Sequence, residues 1–176
     1  GIIYAQKAHG LNYDTNNILR SEIRAMFGSG TQLQEMYITP SLMTRQNWDD
    51  LAEAAKWSRA NAETLVDTHW IGGSPEGRSV YGWASWSPKK GILTLRNPQA
   101  RAAEIKIDPA KAFELPEGAP QNYNIVNPFK DQTVAETRLR AGEETTFKLK
   151  PFEVLVIEAA PDGSLTQAVR QRAIVR

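Results

Sequence analysis

The chain offers few side chains at spacings that chemistry requires. Its two histidines, His9 and His69, are too far apart for a local metal motif, and neither His-x-His nor His-Glu-x-x-His occurs. With no cysteine, thiolate nucleophiles, disulfides and sulfur-ligated zinc are ruled out. The densest polar group is His9 with Asn12 and Asp14, in a loop after a short apolar run. Such a group could bind a ligand at a barrel mouth, or simply cap the loop. Asp49, Asp50 and Glu53 invite a reading as paired catalytic carboxylates; acidic residues opening a helix more simply offset the positive end of its dipole. Gly28-Ser-Gly30 lacks the third glycine and the Lys-Ser/Thr of a phosphate loop, and no Gly-x-Ser-x-Gly elbow supports a serine hydrolase.

Aromatic residues are the other chemical resource. Trp70, Tyr81, Trp83 and Trp86 crowd into one stretch, and aromatic faces stack well on the apolar C–H faces of sugar rings. Strand alternation places Tyr81 and Trp83 on one face and Val80 and Trp86 on the other, so part of this set must be core. Tyr81 and Trp83 therefore join His9, Asn12 and Asp14 as candidate substrate-binding residues, each with packing as the competing reading.

The elements that position these residues change grammar near residue 67. Ile2, Ile3 and Tyr4 suggest a strand. Asp14 or Thr15 can cap a helix with Leu19, Ile23, Met26 and Phe27 on one face, stopped by Gly28. Residues 31–39 fit either a helical turn or a short buried strand. Thr44 is placed to cap a long helix over 45–66, about 33 Å long at 1.5 Å per residue, with an apolar stripe of Trp48, Leu51, Ala55, Ala62 and Leu65. From Thr68 onward strand signals alternate with Gly, Pro, Asn and Asp, the pattern of an antiparallel sandwich. Strands are expected over 68–71, 79–87, 92–96, 102–107, 123–126, 133–139, 145–149 and 153–158, with an ordered crossover over 109–121. Val154 to Ile157 is apolar without alternation, as for a strand covered on both faces, which predicts contact between the two halves. The fold class is thus α+β: an N-terminal helical segment (1–67), an antiparallel β-sandwich (68–160) and a basic terminal segment (161–176).

Composition narrows the partners. Hydrophobic residues make up 41% and charged residues 23%, a globular balance, and no apolar run is long enough to span a bilayer. A net charge of +1 provides no broad field for nucleic acid or an anionic membrane, so neither is expected as a partner. Arg170, Arg172 and Arg176, with no acid after Asp162, suggest a solvated tail, an extra strand or a weak anion contact.

The segments Leu19-Arg-Ser-Glu-Ile-Arg-Ala-Met-Phe-Gly-Ser-Gly30, Leu33-Gln-Glu-Met-Tyr-Ile-Thr-Pro40, Trp48-Asp-Asp-Leu51, residues 57–65, Trp70-Ile-Gly-Gly73, Val80-Tyr-Gly-Trp83 and Gly91-Ile-Leu-Thr-Leu-Arg-Asn-Pro98 resemble the C-terminal end of α-galactosidase-like retaining glycoside hydrolases. The resemblance implies that residues up to about Val66 correspond to the last β/α units of the catalytic barrel, and 68–160 to its accessory β-sandwich. It further implies that His9 to Asp14 lie at the active-site mouth, since such barrels carry their sites after strand ends. The two catalytic carboxylates of that family lie on earlier barrel strands, so no catalytic residue is expected in this chain. Other expectations are no cofactor, no metal and carbohydrate as ligand; the residues themselves give no location, and the resemblance favours an extracytoplasmic one, periplasmic or secreted. The remainder of a parent hydrolase, or a second copy in a homodimer, should cover the exposed barrel end. A stand-alone carbohydrate-binding module and a structural or assembly domain are the alternatives.

Overall fold

The computed structural model describes residues 2–5, 18–31 and 33–163. Two strands, β1 (Ile2–Ala5) and β2 (Glu35–Ile38), pair in parallel, with Ile2 opposite Glu35. Helix α1 (Ile18–Gly28) lies between them in sequence, and a 3-10 turn (Pro40–Leu42) leads from β2 into α2 (Arg45–Ala60) and the short α3 (Ala62–Leu65). The residues left open between helix and strand therefore form a strand. The N-terminus of α2 follows the expected rule. Thr44 Oγ1 accepts from the Asn47 amide while Asn47 Oδ1 accepts from the Thr44 amide, a reciprocal capping box.

The single long helix expected over 45–66 is broken at Asn61. This buried residue has φ −111° and ψ 11°, its side-chain amide donates to the Trp57 carbonyl at 2.9 Å, and its Oδ1 accepts from Lys90 Nζ at 2.8 Å. A short polar side chain that competes for backbone hydrogen bonds and is held by a lysine from the sheet ends the helix there. Consequently α2 is about 24 Å long. Its buried face is also more polar than expected. Asn47, Asp50, Ala54 and Ser58 are buried, whereas Trp48 is exposed.

The remaining chain forms β3 (Thr68–Gly72), β4 (Tyr81–Ser87), β5 (Lys90–Arg96), β6 (Ala103–Ile107), α4 (Pro109–Ala112), β7 (Asn122–Val126), β8 (Arg138–Arg140), β9 (Thr145–Leu149) and β10 (Val154–Pro161). One antiparallel sheet runs β3-β4-β5-β10-β7-β8, and β6 pairs with β9 in a two-stranded layer opposite it. The structure is α+β, helices first and antiparallel strands after, with three layers: helices, six-stranded sheet, two-stranded sheet.

The central sheet is apolar on both faces. Leu93, Leu95, Leu155 and Ile157 point toward β6 and β9, where they meet Ile107, Phe147 and Leu149. Ile92, Val154 and Val156 point the other way, toward Leu19, Ile23 and Phe27 of α1. The uninterrupted run Val154 to Ile157 is thus two alternating faces, each covered. Helix and sheet approach closely. A Cβ on Gly28 would lie 2.2 Å from Thr94 Oγ1, so only glycine lets the end of α1 sit there. On the other face, Phe113 at the end of α4 fills the space above Gly91.

One expected strand is largely absent, since residues 133–137 are irregular and only Arg138–Arg140 pairs. Gln132 accounts for the difference. Its side-chain amide donates to the Val154 carbonyl at 2.5 Å and its Oε1 accepts from the Val156 amide at 3.1 Å. One buried side chain thereby satisfies β10 where β7, which pairs only with residues 158–161, no longer reaches.

Candidate functional site

Of the sequence candidates, His9, Asn12 and Asp14 lie outside the described residues, as does the tail beyond Gly163. Tyr81 and Trp83 occupy the helix-facing side of β4. Cross-strand pairing puts Trp70 opposite Trp83 and Gly72 opposite Tyr81. With only Gly72 beside it on β3, the Tyr81 ring leans across to stack on Trp70, centroids 4.9 Å apart and planes 9° from parallel. Trp83 meets both edge-on, at 5.7 and 5.8 Å. Trp83 also packs against the helical core, while Trp70 is 50% exposed. Trp86 turns inward, and its indole N–H donates to the Tyr123 hydroxyl at 3.1 Å. Burial raises that phenol above its usual range, and the indole hydrogen bond opposes the shift. The structure thus brings Trp70, Tyr81 and Trp83 together and leaves Trp86 in the core.

Two of the three acidic residues of α2, Asp50 and Glu53, serve a purpose other than offsetting the helix dipole. None of the three lies in the first turn. Asp50 is buried against Arg20 Nε at 3.0 Å and accepts from Gln46, and Glu53 lies 3.7 Å from Arg24. They tie α2 to α1. Among the described residues, no group of three or more His, Cys, Asp or Glu side chains could hold a metal.

Beside Tyr81 the surface opens into a cleft of about 860 Å³, within the roughly 300–1,000 Å³ typical of small-molecule sites. Helix α1 supplies one wall, the end of β5 and the turn before β10 another, and the Asp131–Gln132 loop the third. Its guanidinium groups each face a carboxylate. Both terminal nitrogens of Arg96 donate to the carboxylate of Glu22, which raises the guanidinium pKa against the opposing pull of burial. Arg24 donates to Asp131 through two hydrogen bonds, at 2.9 and 2.7 Å, and lies over the Phe129 ring at 4.1 Å. Hydrogen bonding to Arg24 holds the Asp131 carboxyl below the usual carboxylate range. A carboxylate so clamped is a poor general acid at neutral pH.

At the mouth of the cleft stands Phe152, 60% exposed and at φ 56°, a left-handed backbone that favours glycine. Holding a bulky residue there costs of order 1–3 kcal/mol. The turn tolerates this because it is tied on every side. Glu153 N donates to the Lys150 carbonyl at 3.2 Å, Phe152 N to Gln99 at 3.0 Å, and the Glu153 carboxylate accepts from Lys150 N at 2.6 Å. Beneath it, the buried Asn97 amide donates to the carbonyls of Lys150 and Arg101, each at 2.8 Å. A second shallow concavity lies beyond Phe152, lined by Arg78 at φ 54°.

Sequence reasoning missed Glu22, Arg24, Arg96, Asp131 and Phe152. Each ion pair joins residues more than seventy positions apart, which no local spacing reveals. Phe152 did leave a trace, because Pro151 marks a turn whose next position usually takes glycine.

No protein-family model matches the chain, and no curated protein sequence matches it significantly. Solved structures do. The chain is similar to α-galactosidase I from Mortierella vinacea, with a TM-score of 0.60 and 10% identity over 90% of this chain and 38% of that one. It is similar as well to the α-galactosidase of Saccharomyces cerevisiae crystallised with raffinose, at TM-score 0.60 and 6% identity over 92% of this chain and 46% of the other. A noncanonic maltogenic α-amylase from Thermotoga neapolitana gives TM-score 0.57 and 14% identity over 91% of this chain and 41% of its own. The chain therefore has the fold of part of these glycoside hydrolases, and spans less than half the length of each.

Proposed function

We propose that the chain is the C-terminal, non-catalytic portion of a glycoside hydrolase acting on carbohydrate. In this reading residues 1–67 form the end of a β/α barrel, 68–160 the accessory sandwich, and 161–176 a basic terminal segment. The observation that carries it is the order β1-α1-β2-α2 with β1 and β2 parallel, running directly into an antiparallel sandwich. Among the described residues neither strand has another neighbour, and two parallel strands do not make a stable sheet alone. Further barrel strands would pair with both edges, and the half-exposed Met36 and Tyr37 of β2 would be covered by the rest of the parent or by a second copy. The catalytic carboxylates are assigned elsewhere in the parent, because the two in the cleft that face guanidinium groups, Glu22 and Asp131, are committed to them. His9, Asn12 and Asp14 follow β1, where a barrel carries its active-site loops.

The test is a side-by-side assay of this chain and of the complete reading frame on aryl α-galactosides and on maltotriose. Only the longer protein is expected to turn over substrate. Hydrolysis by the 176-residue chain alone would overturn the reading, as would an upstream sequence without earlier barrel strands and two suitably placed carboxylates. A stand-alone carbohydrate-binding module is the second reading, favoured by the half-exposed Trp70 stacked on Tyr81. It predicts that the chain alone binds glycans and that Trp70→Ala and Trp83→Ala abolish the accompanying fluorescence change.

A further inference from the structure

We propose that the cleft between α1, β5 and the Lys150–Glu153 turn is a saccharide-binding subsite, with Phe152 as the platform on which a pyranose ring stacks. The carbohydrate class of the ligand rests on the function proposed above; the location rests on the cleft itself.

Three observations converge there. First, the sequence retains an exposed phenylalanine at φ 56° where glycine would fit without strain, and places it at the cleft mouth. Strain held by an over-tied turn at the edge of a cavity is a mark of a working site. Second, the turn is rigid, since Asn97 and Glu153 fix it from below and from the side. A fixed aromatic face loses little freedom when it binds.

Third, each guanidinium in the walls is matched by a carboxylate, and Lys150 adds an ammonium donor to the lining, a polar set that a polyhydroxylated ligand can use. Arg96 faces Glu22, Arg24 faces Asp131 and Arg20 faces Asp50, so the guanidinium charge is compensated pair by pair. Arg96, Glu22 and Asp131 are the partly exposed members of these pairs, and their N–H donors and oxygen lone pairs are the mixture that sugar hydroxyls, each both donor and acceptor, can use. One apolar plane at the rim with a polar floor matches a ring that has one C–H face and a girdle of hydroxyls. Tyr81, which lines the inner side of the same cleft, links it to the Trp70 and Trp83 cluster.

The experiment is amide-resolved NMR titration of the whole chain with raffinose, maltotriose and mannobiose, with sodium sulfate as a charged probe. At least one saccharide is expected to shift the amides of Arg96, Asn97 and Phe152. Phe152→Gly removes the ring while relieving the backbone, so it should melt at or above the parental temperature yet bind about tenfold more weakly. Phe152→Trp should restore or exceed the original affinity. Unchanged saccharide binding by Phe152→Gly would overturn the inference and leave the ring to a protein contact. Shifts with sulfate but with none of the sugars, or no shift at the cleft at all, would overturn it too. If the complete reading frame lacks a barrel while the cleft still answers to sugar, the hydrolase-portion reading fails and this one stands.

Discussion

The two faces of the central sheet are held by different means. Toward β6 and β9 the contact is almost wholly apolar, with Phe113, Phe147 and Leu149 closing over Leu93, Leu95 and Ile157. Toward the helices an apolar patch is ringed by polar ties. Trp57 Nε1 donates to Glu158 at 2.8 Å, Lys90 donates to Glu158 and Asn61 at 2.6 and 2.8 Å, and Thr64 and Thr68 meet Ser87 and Ser85, each at 2.8 Å. Dry burial gives energy without direction, whereas hydrogen-bonded pairs fix register. The sandwich face is thus held mainly by dry packing, and the helix face by an apolar patch together with specific polar ties.

That contrast can be broken by mutation. Phe147→Ala, on the dry face, should cost about 4 kcal/mol, and urea unfolding should show the helices and strands melting together. Glu158→Ala removes the acceptor of Trp57 Nε1 and one of two acceptors from each of Lys90 and Asn61, and should cost about 3 kcal/mol. Hydrogen exchange should then accelerate in α2 and α3 while Leu93 and Leu155 stay protected; equal loss on both faces would mean that the two are not held differently. Gly28→Ala forces a methyl group onto Thr94 and should cost about 2 kcal/mol. Adding Thr94→Ala should recover part of it in thermal melts, since Oγ1 and Cγ2 are then gone while the Thr94 Cβ position, 2.9 Å from the new methyl group, remains.

The smallest effect is one of pH. Asp131 titrates lower in the folded chain than in the unfolded one, because Arg24 holds it ionised. In acid the unfolded state therefore binds the extra proton more readily. The stability Asp131 contributes is complete above about pH 4 and is lost as the pH falls through its depressed folded value. In Asp131→Asn the urea midpoints at pH 6 and pH 3 should lie closer together than in the parent.

What the sequence disclosed and what it concealed divide along the same line. Periods of two and 3.6 report burial against a layer, so β5, β9, β10 and the inward face of α1 were legible, and Thr44 announced α2 through its own chemistry. The break at Asn61 was not, because it depends on Lys90 from the sheet. Nor was the shortened β8, because Gln132 does work that pattern rules assign to a strand. The aromatic set was legible as a cluster, yet its division between surface and core required the register of β3 on β4. The cleft was hidden for the same reason, since its ion pairs exist only after α1 has docked.

Gln132 has a final consequence. By imitating a neighbouring strand with one amide, it seals a stretch of β10 that would otherwise act as a template for strand addition from another molecule. Replacing it with leucine should therefore change how the protein behaves in concentrated solution more than how tightly it folds, turning that flank of the sheet into an adhesive rim. The same glutamine, with Val154, also lines the cleft.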